Sequence, residues 1–293
     1  MEGATASRTA MVTAMMRSCH TRSDPKPLFD DPWGDRLVPE AAHAAVRQRA
    51  LDGKETVDRY LRRQPVYGNV VLRSRYAEDA LEGAVREGTR QYVVVGAGFD
   101  SFFLRRPAFA RDLDVFEIDH PATQSLKLRQ LKECAIAAPA ATHFIAADLG
   151  AEGIGAALAR SSFRSDAPAF FAWLGVTMYL PMDANLATLR DIARSAAPGS
   201  GLVFTYLDKR ALEPGARSAA MQQVARTVTS LSEPFLSGFD PAGLPGLLRG
   251  LGLDLVEDLA GPQLVQRYDA SGANGLRSTS NSRIALAQVL RTA

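Results

Sequence analysis

A glycine pair and an aspartate carry the clearest chemistry in this sequence. Gly96 and Gly98 follow the apolar residues 92–95, and Asp119 ends the next apolar stretch. Glycine adopts backbone angles that side chains forbid, so a ligand can press against the main chain there. A carboxylate about twenty residues after such a turn meets ribose hydroxyls. We predict a nucleoside-binding crevice that includes Gly96, Ala97, Gly98 and Asp119; an ordinary loop with an exposed aspartate is the alternative.

The sequence narrows the choice of nucleoside. Position 101 is Ser, so the glycine fingerprint of dinucleotide-binding enzymes is incomplete, and no phosphate-binding loop is present. Asp148 could accept a hydrogen bond from an adenine amino group, and Leu149 could pack on the purine. Arg73 could hold a carboxylate through its planar fork. Ribose, adenine and a carboxylate without pyrophosphate describe S-adenosyl-L-methionine. An NAD-linked oxidoreductase is disfavoured by Ser101.

Alternating strands and helices must position these residues. Short apolar runs predict strands at residues 92–95, 115–118, 142–146, 169–173, 202–206, 254–258 and 283–289. Helical patterns between most of them favour right-handed crossovers and a mostly parallel sheet. No convincing helix separates the last two strands, so we expect an antiparallel finish. The sequence therefore predicts an α/β fold with a seven-stranded sheet.

The first residues predict a separate helical unit. We expect a helical cap over residues 1–66 and the sheet domain over residues 67–293. Within the cap, residues 40–64 are predicted as one helix that ends before Pro65. The turn-rich residues 28–33 carry two carboxylates that we expect to be exposed. Such caps commonly close over a cofactor, so we predict a substrate pocket between the cap and residues 206–237; a purely structural extension is the alternative.

Composition excludes several classes of function. The chain has 293 residues, 46% of them hydrophobic and 23% charged, with a net charge of +2. That charge gives no reason to expect nucleic acid as a partner. No apolar run is long enough to span a membrane, and no signal peptide is recognisable. Cys19 and Cys134 match neither a metal site nor a disulfide framework, so we expect no bound metal and a cytoplasmic location.

Five ordered segments resemble the leucine carboxyl methyltransferase superfamily, most closely its bacterial O-methyltransferases, some of which act in polyketide biosynthesis. They cover residues 72–79, 94–100, 116–121, 147–149 and 175–180. The resemblance implies a Rossmann-like class I methyltransferase whose seven-stranded sheet has an antiparallel last strand. It implies S-adenosyl-L-methionine as cofactor and a small-molecule carboxylate or hydroxyl as acceptor.

The resemblance also implies residue roles. Arg73, rather than Arg75, would grip the methionine carboxylate, and the glycine turn would line the methionine and ribose. Asp119 would take the ribose hydroxyls, while Asp148 and Leu149 would receive the adenine. The family usually has Glu immediately before the position of Gly175, where this chain has Leu174. Leu174 is therefore retained only as a weak candidate for cofactor binding.

No catalytic base is identified. An ionised carboxylate acceptor needs none, whereas a phenol would benefit from one. His120 lies beside the predicted crevice, but capping of the following helix explains it more simply. Tyr179 either lines the methyl-transfer pocket or is a buried structural residue. Because Leu174 departs from the family pattern, a non-catalytic protein that binds S-adenosyl-L-methionine is the alternative to an enzyme.

Overall fold

A seven-stranded sheet organises the protein. The computed structural model describes residues 6–213, 219–230 and 233–290. The strands are β1 (Gln91–Val95), β2 (Asp114–Asp119), β3 (Thr142–Ala146), β4 (Ala169–Trp173), β5 (Gly201–Leu207), β6 (Leu253–Ala260) and β7 (Ser282–Val289). Their spatial order is β3-β2-β1-β4-β5-β7-β6. The first five strands are parallel, and β7 runs antiparallel to both β5 and β6. The predicted strands and antiparallel finish are confirmed.

Helices cover both faces of this sheet. In the described residues they are α1 (Arg8–Ser23), α2 (Gly34–Leu37), α3 (Glu40–Asp52), α4 (Val57–Arg62), α5 (Tyr67–Arg86), α6 (Phe102–Arg105), α7 (Pro121–Glu133), α8 (Ile154–Leu158), α9 (Met182–Ser195), α10 (Ala219–Ser230), α11 (Leu244–Gly250) and α12 (Gly261–Tyr268). Short 3₁₀ turns lie at Ala108–Ala110, Thr177–Tyr179 and Lys209–Leu212. A helix was predicted at about residues 217–231, and its two ends fall outside the described residues.

Strand β1 shows why both faces are covered. Tyr92 and Val94 pack into the hydrophobic cluster that includes α1 and α5. Val93 and Val95 pack into the opposite cluster, which includes residues of α8, α9 and α11. A strand buried on both sides reads as a continuous apolar run, as it does here.

Two helix predictions need correction. The predicted helix over residues 40–64 is two helices, because the chain breaks after α3 and the Thr56 hydroxyl accepts a hydrogen bond from the Arg59 N–H at 3.3 Å to cap α4. A helix, α12, does connect the last two strands. Its Pro262 occupies the first turn, where a missing N–H costs nothing.

The expectation of two exposed carboxylates in residues 28–33 is half wrong. Asp30 is exposed, but Asp31 is fully buried. The Arg17 Nε of α1 donates to Asp31 at 2.8 Å, and Arg105 lies 4.0 Å away. These arginines lower the pKa of Asp31 against the effect of its burial. A buried carboxylate requires such partners, and they come from distant parts of the sequence.

Across the described segments of the chain, no helix has both the length and the apolar character needed to cross a lipid bilayer.

Candidate functional site

A cavity of about 570 Å³ opens at the carboxyl ends of β1, β2 and β4. This is the edge where parallel α/β sheets bind ligands. Six of the predicted cofactor-binding residues line it, namely Arg73, Gly96, Ala97, Gly98, Asp119 and Leu174. The structure therefore brings these residues together, although they come from three strand ends and one helix.

The turn after β1 brings bare backbone to the cavity. Gly96 and Gly98 both have positive φ, at 68° and 54°. The N–H groups of Gly96 and Ala97 donate to the Ile118 carbonyl at 2.8 and 3.1 Å, which ties the turn to β2. A Cβ on Gly98 would lie 2.9 Å from Ala10 of α1. Glycine is therefore required both by the backbone angles and by the close approach of α1.

Asp119 ends β2 directly beneath this turn. Its carboxylate accepts hydrogen bonds from the Gly98 N–H and, at 2.6 Å, from the His120 N–H. Burial raises its pKa, and the two N–H donors oppose that rise. A carboxylate oxygen accepts more than one hydrogen bond. Asp119 can thus bind the turn and still accept from the hydroxyls of a ligand.

Arg73 faces the cavity from α5. A Cβ on Gly175 would lie 2.5 Å from its Nη1 atom, so the guanidinium packs against the bare backbone at the end of β4. Among the described residues, no carboxylate lies within ion-pair distance of Arg73. Burial lowers its pKa to about 10, while Tyr179 and Asp100 act in the opposite direction. The group therefore stays charged at neutral pH, and it is available to an anionic ligand.

The neighbouring Arg75 is engaged elsewhere. Its Nη2 lies 2.5 Å from Asp79, and its Nη1 donates to the Leu28 carbonyl at 2.9 Å. It lines a different, acidic groove rather than the cavity. The structure thus puts Arg73, and not Arg75, in the position that the predicted role requires.

The two residues predicted to receive adenine do not line the cavity. Asp148 is exposed and accepts a hydrogen bond from the Gly150 N–H at 2.9 Å. Leu149 packs against the hydrophobic cluster on one face of the sheet. They follow β3, whose end is joined to β2 because the Ala147 N–H donates to the Asp119 carbonyl at 2.9 Å. Their predicted role stays a prediction.

An apolar wall, defined as Met178, Leu207, Met221, Val224 and Val228, closes the other side of the cavity. These residues form a hydrophobic cluster separate from the two beside the sheet. Tyr179 and Phe235 pack against the wall, with ring centroids 5.7 Å apart. Burial raises the pKa of Tyr179 to about 12, and the Glu233 carboxylate adds to the rise. Tyr179 is therefore protonated at neutral pH.

Sequence reasoning missed several lining residues. Asn69 precedes Arg73 by one helical turn, and no hydrogen bond to its side chain occurs in the described chain. Ser278, Thr279 and Ser282 come from the segment that leads into β7. Glu233 is contributed by the segment after α10. The position of Asn69 one helical turn before Arg73 could have predicted that it lines the same cavity. No local sequence pattern could have predicted this for the other residues.

His120 has the structural role that was expected. Its Nδ1 accepts a hydrogen bond from the Ala122 N–H at 3.2 Å and so caps α7. With Nδ1 engaged as an acceptor, the neutral ring carries its proton on Nε2. It is not poised as a base toward the cavity, although it lines it.

Comparison with known proteins identifies the family. The profile of the leucine carboxyl methyltransferase family matches residues 10–193. The chain belongs to this family. The predicted family and methyltransferase class are thereby confirmed. The matched span begins inside α1, so the family pattern includes part of the N-terminal helices as well as the cavity-lining strand ends.

Two bacterial relatives align with most of the chain. A Bacillus subtilis protein, named as the S-adenosyl-L-methionine-dependent methyltransferase YktD, is 28% identical over 269 residues, covering 87% of this chain and 88% of its own length. A Mycolicibacterium smegmatis protein named as the same kind of enzyme is 32% identical over 249 residues, with 83% and 82% covered.

Solved structures share the fold. A DUF574 family protein from Streptomyces avermitilis has a TM-score of 0.61 at 14% identity, covering 94% of this chain and 97% of its own. A Thermobifida fusca protein titled as a methyltransferase has a TM-score of 0.59 at 15% identity, with 95% and 94% covered. The predicted α/β class I methyltransferase fold is confirmed.

Proposed function

We propose that this protein transfers the methyl group of S-adenosyl-L-methionine to an oxygen atom of a small molecule. It is an S-adenosyl-L-methionine-dependent methyltransferase of the leucine carboxyl methyltransferase family. The acceptor class is the part proposed here: a carboxylate or hydroxyl compound, as in polyketide or other secondary metabolism. The unpaired cysteines suit the reducing cytoplasm in which we place it.

The single observation that carries the cofactor assignment is the uncompensated charge of Arg73. A partly buried guanidinium that has no carboxylate partner destabilises the fold, unless a bound ligand supplies the carboxylate. The methionine carboxylate would do so, while Asp119 would accept from the ribose hydroxyls beneath the glycine turn. Asp148 and Leu149 would meet the adenine beyond the end of β3. Leu174 cannot supply the polar contact of the family's usual Glu, so it contributes only apolar lining.

The chain's contribution to the reaction is to position two reactants and exclude water. S-adenosyl-L-methionine, when bound, supplies a sulfonium methyl group that needs no further activation. The apolar wall would hold the acceptor in line with that methyl group, and such alignment supplies much of the rate. As the new C–O bond forms, the C–S bond breaks and its electron pair returns to sulfur. A hydroxyl acceptor would also have to release its proton to water, because no group of the chain is assigned to take it.

The lack of a group placed as a general base, among the described residues that line the cavity, favours an acceptor that arrives already ionised. Asp119 is held by two N–H groups, and both oxygens of Glu233 accept backbone hydrogen bonds. Asp100 accepts from the Phe102 N–H at 2.7 Å. Each of these carboxylates is held by backbone N–H groups and Tyr179 is protonated, so we assign none of them as a general base. A carboxylate acceptor requires none, so we favour it over a phenol.

Two measurements test the proposal. Calorimetry should show that S-adenosyl-L-methionine and S-adenosyl-L-homocysteine bind the wild-type protein, and that neither binds Asp119→Ala with comparable affinity. Transfer of labelled methyl from the cofactor should then be measured with a panel of aliphatic and aromatic carboxylic acids and matched phenols. Methylation of phenols alone would overturn the carboxylate preference, and label on nitrogen or carbon would overturn O-methylation.

A further inference from the structure

Helix α1 forms the cover of the cavity. Ala10 packs against Gly98, and Thr9, Thr13 and Met16 line the same space. A ligand that presses against the glycine turn therefore lies under the first two turns of α1. The start of this helix must be held in place for the cavity to remain closed.

Glu233 holds the start of α1 across a large sequence separation. Its Oε1 accepts from the Arg8 N–H at 3.0 Å, and its Oε2 accepts from the Thr9 N–H at 3.3 Å. The first N–H groups of a helix have no partner within the helix. A carboxylate at this end also interacts favourably with the helix dipole. Glu233 thus satisfies two such groups with one side chain.

The same segment is part of the acceptor side of the cavity. The Leu236 N–H donates to the Met178 carbonyl at 2.7 Å, and the Phe235 ring lies against Tyr179. Met178 belongs to the apolar wall. The chain from Glu233 to Leu236 therefore joins the cover over the cofactor turn to the wall against which an acceptor would pack.

We propose that Glu233 is a positioning residue that ties α1 to the apolar wall and so retains the cofactor in the closed cavity. The inference rests on the proposed function, because it assumes that S-adenosyl-L-methionine binds at the glycine turn. Release of the cofactor requires the start of α1 to move away, and that movement breaks both hydrogen bonds to Glu233. Loss of the tie speeds cofactor release without removing any group that contacts the cofactor.

The test uses the dissociation rate of S-adenosyl-L-homocysteine from the full chain, measured by stopped-flow displacement. Glu233→Gln removes the charge and one acceptor, and we expect release about five- to tenfold faster than wild type. Glu233→Asp keeps the charge on a shorter side chain, and its rate should fall between the two. Glu82→Gln serves as the control, because Glu82 pairs with Arg86 on α5 and does not line the cavity; its rate should equal that of wild type.

A second variant separates the tie from simple helix capping. Ser7 caps the same helix end, since its Oγ accepts from the Ala10 N–H at 3.1 Å. Ser7→Ala should speed release less than Glu233→Gln, because Ser7 has no bond to the segment at 233–236. Equal effects of the two changes would overturn the proposal in favour of capping alone. Unchanged release in Glu233→Gln would also overturn it.

Hydrogen exchange gives a measurement that does not depend on a variant folding. In the wild type, S-adenosyl-L-homocysteine should slow exchange at the Arg8 and Thr9 amides. No slowing there would contradict the tie, while slowing confined to the glycine turn would show that α1 does not close. If the wild type does not bind S-adenosyl-L-homocysteine, the proposed function itself fails, and that result differs from unchanged release in a protein that binds.

Discussion

Arg73 is the residue whose role can be isolated most sharply. Because its guanidinium should pair with the amino-acid end of the cofactor, Arg73→Ala should weaken S-adenosyl-L-homocysteine binding by about tenfold to a hundredfold. Adenosine lacks that end, so its affinity should change by less than about twofold. Calorimetry with both ligands measures the difference. Arg75→Ala is the matched control, since Arg75 pairs with Asp79 outside the cavity. Equal losses for both ligands would remove Arg73 from the carboxylate site.

Asp119 should make cofactor binding sensitive to acid. Its pKa is raised above the ordinary 3.8 by burial, and it must be ionised to accept from two ribose hydroxyls. The affinity for S-adenosyl-L-homocysteine should therefore be highest at neutral pH and decline as pH falls through the raised pKa of Asp119. In the protein without ligand, the raised pKa of Asp119 means that protonation of this residue stabilises the folded state. This contribution to the free energy of unfolding is lost as pH rises through the raised pKa. Binding titrations with S-adenosyl-L-homocysteine from about pH 7.5 to about pH 4.5 should show the decline. The Asp119→Asn variant should bind weakly, and its affinity should not change with pH.

Helix α5 and the end of strand β4 meet at a glycine. Gly175 has φ of 74°, and its missing Cβ makes room for the Arg73 guanidinium. Gly175→Ala should therefore strain the backbone by about 1–2 kcal/mol and displace Arg73 as well. We expect a loss of S-adenosyl-L-homocysteine affinity as large as that of Arg73→Ala. Gly199→Ala is the control, because Gly199 also has positive φ but nothing lies closer than 4.0 Å to its missing Cβ. A stability loss with unchanged affinity would contradict the displacement.

The strands could be predicted, whereas the helix that connects the last two strands could not, for a physical reason. A strand such as β4 is buried on both faces, so its apolar run is visible in the sequence alone. The start of α12 depends on Pro262 being tolerated in a first turn, and a Gly–Pro pair can as well mark a break. Asp31 looked exposed because its partners Arg17 and Arg105 are distant in sequence. For the candidate site, the proximity of the glycine turn and Asp119 could be predicted from the sequence. The contact of Glu233 with α1 could not, because it depends on the fold.

At the scale of the whole molecule, the predicted cap and sheet domain share a single hydrophobic cluster. Met15, Met16 and Leu61 from the first 66 residues pack in the cluster that also contains Tyr92 and Phe170. Each fully buried side chain of this kind contributes about 1.5–3 kcal/mol. The loss of several such side chains would therefore be large compared with the net stability of a typical domain, about 5–15 kcal/mol. The cap predicted over residues 1–66 therefore shares one hydrophobic core with the sheet.

Deleting residues 1–66 should consequently do more than open the cavity. The remaining chain would expose the apolar surface of α5 on which α1 packs, together with the rest of the shared hydrophobic cluster, and a large exposed apolar surface causes aggregation. We expect residues 67–293 to bind a hydrophobic dye, to elute as aggregates in size-exclusion chromatography, and to lose the cooperative thermal transition of the full chain. The full chain carrying Glu233→Gln is the comparison, because it loosens the cover without removing the core. A monomeric 67–293 fragment that unfolds cooperatively would show that the sheet domain is stable without its cap.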